Sequence, residues 1–261
     1  MATVNVNGIK LACKVIGEGP PLLFIHGLGS CGLDWEHQAE EFAESHMVIT
    51  FDLRGHGDSD KPPGPYSIKM FAADTADLLC ALDVQSAHVV GVSLGGGIAF
   101  QLAVDAPKLV RTLTIVNSYP EMILRTLKEK FGMWTRFFIL RTKGIAGMGA
   151  ILAPRLFPGP DLAAMRDTFI QRFSRNDQRA YTAALQSVIG WSVTDRLGEI
   201  ACPVLVVSAD QDYTPVANKE AYVTRIRGAR LVVIPDSRHA LPMERPQKFN
   251  AVLAKFLAAN E

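Results

Sequence analysis

The sequence predicts an α/β fold, a mostly parallel sheet with helices on both faces. Three observations predict it. Short apolar runs such as Leu22-Leu23-Phe24-Ile25 and Val204-Leu205-Val206-Val207 show no polar alternation, as expected of strands buried on both sides. These runs alternate along the chain with longer stretches of helical character, the pattern of a parallel sheet wrapped by helices. The chain has 261 residues, 48% hydrophobic and 20% charged, enough for one large α/β domain with a substantial core.

The elements follow in order. Asn7-Gly8 lies between two strand-like runs, residues 4–6 and 9–16, and predicts a hairpin. Gly17-Glu18-Gly19-Pro20-Pro21 breaks that pattern, and a strand over 22–25 follows. A helix is expected over 34–45, a strand over 47–51 and a helix over 67–82. A strand over 87–90 leads to a helix over 96–104, and a strand over 109–116 is entered after Pro107. Strands recur at 204–208 and 231–234, making eight, with helices over 215–227 and 246–259. The alternation stops between Tyr119 and Gly190, where the chain is helix-like and holds a Pro/Gly cluster at Pro154 and Pro158-Gly159-Pro160. Residues 119–190 are therefore expected to form a helical cap over the C-terminal edge of the sheet, inserted into a core of residues 1–118 and 191–261. From Pro120 to Gly190 there are eleven Lys/Arg against five Asp/Glu, read as the solvated outer faces of short helices.

Several functional classes are disfavoured. A net charge of +1 gives no general attraction to nucleic acid or anionic membrane. No eighteen-residue apolar run is present, so no membrane insertion is expected. The first residues lack a basic start followed by an apolar stretch, which predicts a cytoplasmic protein. Cys13, Cys31, Cys80 and Cys202 have no metal-ligand spacing and read as free thiols. There is no dinucleotide fingerprint and no phosphate-loop lysine, so neither a cofactor nor a metal is expected. Nothing in the chain encodes an oligomeric state.

The chemistry is carried by Gly91-Val92-Ser93-Leu94-Gly95, a G-x-S-x-G pattern between a predicted strand and a predicted helix. A sharp strand-to-helix turn pushes the serine out at the end of the sheet, beside the positive end of the helix dipole. Serine needs a base to take its proton, and the base needs an acid to orient it. His239 follows the last strand, in Pro235-Asp236-Ser237-Arg238-His239, where residues of parallel sheets gather for catalysis. Asp210 and Asp212 both follow the strand over 204–208 and both suit the acid. Backbone N–H groups must hold the developing oxyanion. Leu94 offers one, and Leu28 in the loop His26-Gly27-Leu28-Gly29 offers the other. His26 is expected to tie neighbouring loops together.

Together these segments resemble the α/β-hydrolase superfamily. The likeness rests on His26-Gly27-Leu28-Gly29, Asp52-Leu53-Arg54-Gly55-His56-Gly57-Asp58-Ser59, Gly91-Val92-Ser93-Leu94-Gly95-Gly96, Asp212 and His239. It implies an α/β-hydrolase fold with residues 119–190 as the variable cap. It also favours Asp212 over Asp210, because the family's acid lies about nine residues after the proline that opens the strand, here Pro203. Arg238 stands where a glycine is common and is expected to alter the rim of the site. A serine at the elbow argues against dehalogenases and epoxide hydrolases, which carry aspartate there. The expected activity is hydrolysis of a carboxylic ester or lactone with an apolar acyl group through Ser93, Asp212 and His239. Trp134, Phe137 and Phe138 are expected in the substrate pocket. A cofactor-free perhydrolase, a carbon–carbon hydrolase or lyase, and a receptor-like protein with little turnover share the same features.

Overall fold

The chain opens with an antiparallel hairpin, β1 (Ala2–Val6) and β2 (Ile9–Ile16), which pair from Ala2↔Cys13 to Val6↔Ile9. Asn7 and Gly8 turn it with φ of 46° and 75°, the left-handed pair that a two-residue hairpin loop requires. The remaining strands are β3 (Pro21–Ile25), β4 (Met47–Phe51), β5 (Ala87–Val92), β6 (Val110–Val116), β7 (Val204–Ala209) and β8 (Arg230–Ile234). They form one sheet in the order β1-β2-β4-β3-β5-β6-β7-β8, antiparallel at the hairpin and between β2 and β4 and parallel from β4 onward. This computed structural model describes residues 2–260. Met1 and Glu261, the outer ends of the predicted core segments, lie outside the described residues.

Each strand feeds two cores because successive side chains point to opposite faces. Leu23 and Ile25 of β3 join the side of the sheet covered by α2 (Ile68–Ala81) and α3 (Leu94–Asp105), while Leu22 and Phe24 join the other. There they meet residues of α1 (Glu36–Phe42) and α9 (Pro246–Ala258). The run over 34–45 is not one helix. A 3₁₀ turn, Gly32–Trp35, precedes α1, and Trp35 leaves it to pack 4.7 Å from Phe24 and 6.2 Å from Phe249, ring centroid to ring centroid. α7 (Val216–Val223) is also shorter than expected, because its last turn tightens into i→i+3 bonds at Arg225 and Ile226. A one-turn helix, α8 (Leu241–Glu244), lies between the β8 loop and α9.

The insertion leaves the sheet after β6 and returns beside its own point of departure, where Glu121 and Ser192 form a bridge. It holds α4 (Leu127–Leu156), α5 (Ala163–Phe173) and α6 (Gln178–Ser187). Thr126 caps α4 in a reciprocal box with Glu129. Two helical segments meet at a kink at Gly144, with φ of 66°; the second continues through Pro154, and the chain turns again at the later prolines. Among the described residues α4 is the one helix with the length and mean hydropathy of a membrane span, at 1.2, where the sequence predicts none. The charges crowd into its first half, so the average over the rest passes without any unbroken apolar run. In the fold Met133, Leu140 and Met148 of this helix pack with Phe173, Tyr181 and Leu185 of α5 and α6. Two polar contacts tie the far end of the insertion to the loop after β3. Arg172 pairs with Asp34 at 2.8 Å and Glu36 at 3.0 Å, and Asn176 donates to the Gly29 carbonyl at 2.8 Å.

Candidate active site

Ser93 sits between β5 and α3 with φ 55° and ψ −117°, a conformation that costs a side-chain-bearing residue about 1–3 kcal/mol. The surroundings impose it. A Cβ on Gly91 would stand 2.3 Å from the Gly95 carbonyl oxygen, and one on Gly95 would stand 2.2 Å from that of Ile25. Only glycines let strand and helix meet this closely. Ser93 N–H donates to the Val116 carbonyl at 3.0 Å, and the Ser118 hydroxyl donates to the Ser93 carbonyl at 2.5 Å, so the turn is held at both ends. The Leu94 N–H opens α3, and Leu28 follows Gly27, whose α-carbon faces the Ser93 side chain. Neither the Leu28 nor the Leu94 N–H has an acceptor among the described residues.

His239 reaches the same point from the loop after β8. Its Nδ1 lies 2.8 Å from Asp212 Oδ1. Asn117, just after β6, accepts from Ala209 N–H at 2.8 Å and donates to the Arg238 and His239 carbonyls at 3.1 and 3.0 Å. One side chain thus fixes the histidine loop against the end of β7. Asp210 does not touch the histidine; its Oδ1 accepts from Ser237 N–H at 3.0 Å and closes the turn. Arg238 is held by Glu244 at 2.7 Å.

Behind Asp212 stands Lys219, which the sequence reading passed over. The first turn of α7 carries it inward, fully buried, and its Nζ donates at 2.7 Å to Asp212 Oδ2, the Thr214 carbonyl and the Thr214 hydroxyl. Thr214 also donates to Asp212 Oδ2. Burial pushes the Asp212 carboxyl upward, but the bonds from His239, Lys219 and Thr214 outweigh it and hold it below the ordinary carboxylate range. One oxygen of Asp212 therefore serves His239 and the other is neutralised from within.

Tyr213, also passed over, places its hydroxyl 2.6 Å from His239 Nε2, with ring centroids 4.1 Å apart. The phenol also interacts with the Ser93 side chain, and no hydrogen bond joins Ser93 to His239 directly among the described residues. Its position beside Asp212 is the one signal that marked it.

Ser93 and His239 open on a cavity of about 200 Å³ whose walls are mainly apolar, including Met133, Leu152, Phe169 and Trp191, with Arg136 and Tyr213 as polar members. A smaller space of about 90 Å³ lies on the Trp35 and Met243 side of the same serine. Trp134, Phe137 and Phe138 do not line either. Trp134 and Phe138 are exposed and stack with Phe131 along the outer face of α4, while Phe137 packs against the cap cluster. The helix register decides this. Residues 133 and 136 face the cavity, so 134 and 138 must turn away.

His26 and His56 are structural. His26 Nδ1 lies 2.8 Å from the Gly27 carbonyl and its Nε2 accepts from Leu53 N–H at 3.0 Å, tying the loops after β3 and β4. Burial pulls it down to about 4 and its neighbour His56 to about 3. Above the ordinary histidine value near 6.5 both states are neutral and these groups add no pH dependence. Below it the unfolded chain takes up protons that the fold refuses, so each histidine removes about 1.4 kcal/mol of stability per pH unit until its folded value is reached. Burial raises Asp34 and Asp52, which opposes this loss. Urea midpoints are expected to fall between about pH 7 and about pH 5.5, and a flat midpoint would contradict the assignment. Cys31 is pushed up to about 12, chiefly by burial, and is no reactive thiolate. Among the described residues no group of three or more His, Cys, Asp or Glu side chains is arranged to hold a metal.

Comparison with known proteins places the fold in a family. The chain is 27% identical to 3-oxoadipate enol-lactonase 2 of Acinetobacter baylyi, over 97% of both chains. It superposes on a thermophilic esterase from Thermogutta terrifontis with a TM-score of 0.89 and 26% identity, covering 98% of this chain and 96% of that one. It superposes on Est816, described as an N-acyl homoserine lactone degrading enzyme, with a TM-score of 0.83 and 32% identity, covering 98% and 100%. Residues 20–246 match the family described as alpha/beta hydrolase fold, and with the sheet order and the serine turn seen above, the chain belongs to that family.

Proposed function

We propose that this protein is a serine hydrolase that cleaves a carboxylic ester or lactone through an acyl-enzyme. The observation that carries the reading is the His239–Asp212 pair, 2.8 Å apart, at the mouth of a cavity that also exposes the strained Ser93. Ser93 Oγ attacks the carbonyl carbon while His239 Nε2 takes its proton, and Asp212 holds the imidazole tautomer and stabilises the imidazolium. The Leu28 and Leu94 N–H groups hold the oxyanion, each worth about 3 kcal/mol of transition-state stabilisation. His239 then protonates the leaving alcohol and activates water to release the acid. The apolar cavity accepts the acyl chain. The lactonase and esterase relatives support this class of substrate. Turnover of p-nitrophenyl esters, together with stoichiometric labelling of Ser93 by a phosphonate, tests the reading; labelling without repeated turnover would favour a receptor-like protein.

Tyr213 has a defined place in this scheme. Its hydroxyl occupies His239 Nε2, the atom that must accept the serine proton, so substrate entry displaces it. Tyr213→Phe is expected to raise kcat/KM about fivefold, because a neutral hydrogen bond of about 1 kcal/mol no longer competes. Steady-state kinetics check this, and a tenfold loss would instead put the phenol on the proton path.

A further inference from the structure

One charge in the cavity has no counterpart. Arg136 lies on the inner face of α4, among walls formed by Met133, Leu152, Phe169 and Trp191. Among the described residues it makes no ion pair and no hydrogen bond, although six other arginines are paired with carboxylates. Glu121 also lines the cavity but is already neutralised, paired with Arg125 at 2.7 Å and accepting from Thr194 at 3.1 Å. Arg136 is close to the reacting centre in electrostatic terms. Burial raises the Tyr181 phenol to about 12 and the charge of Arg136 opposes it, and the same charge acts on the Tyr213 phenol. Tyr213 is the residue whose hydroxyl touches His239.

A guanidinium on an apolar wall is held there at a cost unless a partner arrives. Carboxylate is the partner whose shape and charge it matches, in a two-pronged bond. We propose that Arg136 anchors a carboxylate on the substrate, so that the preferred ester or lactone carries a free acid on its acyl part. The apolar walls take the methylene chain and the guanidinium takes its end. This changes the expected substrate from a plain apolar acyl group to an anionic one. The turnover arm of the test rests on the hydrolase reading, and the binding arm does not.

The turnover arm compares mono-p-nitrophenyl adipate and suberate with the matching p-nitrophenyl hexanoate and octanoate, which replace the distal carboxylate by methyl. Arg136→Gln is expected to lower kcat/KM for the half-esters about 10- to 100-fold, mainly through KM, and to change the neutral esters less than about threefold. Arg136→Lys is expected to recover part of the loss. The binding arm measures, by calorimetry, monomethyl suberate on Ser93→Ala protein with and without Arg136→Gln. Its Kd is expected to rise at least about tenfold in the double variant. Equal losses on charged and neutral esters, or an unchanged Kd, would overturn the proposal. Wild-type protein that binds the half-ester through Arg136 but turns over no ester would instead overturn the hydrolase reading alone. Circular dichroism on each variant confirms the fold.

Discussion

Ser93→Ala is expected to lose roughly 10⁶-fold in kcat on any ester the protein turns over, because the nucleophile, base and acid act as a unit. Its stability should hardly change. Alanine keeps the Cβ and therefore the strain of φ 55°, and the bonds that lock the turn run through the backbone of residue 93. Ser93→Gly should be equally inactive but more stable by about 1 kcal/mol, since glycine occupies this region without strain. Activity assays and thermal unfolding separate the two effects. Ester turnover retained within tenfold in Ser93→Ala would end the proposed mechanism.

The second large effect is expected at Asp212. Asp212→Asn should lower kcat about 10⁴-fold, because an amide favours the wrong imidazole tautomer. It should also destabilise the fold by about 3–5 kcal/mol, because Lys219 is left buried without its carboxylate. Lys219→Met should destabilise the fold too, leaving Asp212 with only Thr214 on that oxygen. The double variant Asp212→Asn/Lys219→Met is expected to regain part of that stability and none of the activity, since methionine removes the stranded charge without restoring the acid. Urea denaturation of the four proteins closes the cycle. Additive losses would show that the two side chains are not energetically coupled.

These effects show how unevenly the site could be read along the chain. Ser93, His239 and Asp212 each end a buried strand or its loop, and the strand periodicity announced those ends. The inner strands were legible for the same reason, since a strand buried on both faces has little freedom to vary its polarity, and the outer hairpin was legible from its Asn7-Gly8 turn. Lys219 was not legible. Seven residues beyond Asp212 on a short helix, it resembles any surface lysine until α7 packs against β7 and turns it inward. Trp134 was expected in the pocket and the cap's basic residues on solvated faces because the cap helix has apolar residues on both faces. Only its contact with α5 and α6 selects which face closes the cavity.

By itself the sequence determined the sheet, the turn at Ser93 and the presence of a helical insertion. These depend on local patterns: the period of a buried strand, the glycines of a forced turn, the spacing of loops after strands. The tertiary structure alone decided that Tyr213 covers His239, that Lys219 backs Asp212 and that Arg136, not Trp134 or Phe138, faces the cavity. Those outcomes depend on how one element rotates against another, and a rotation of a single helical position exchanges a cavity wall for a solvent face.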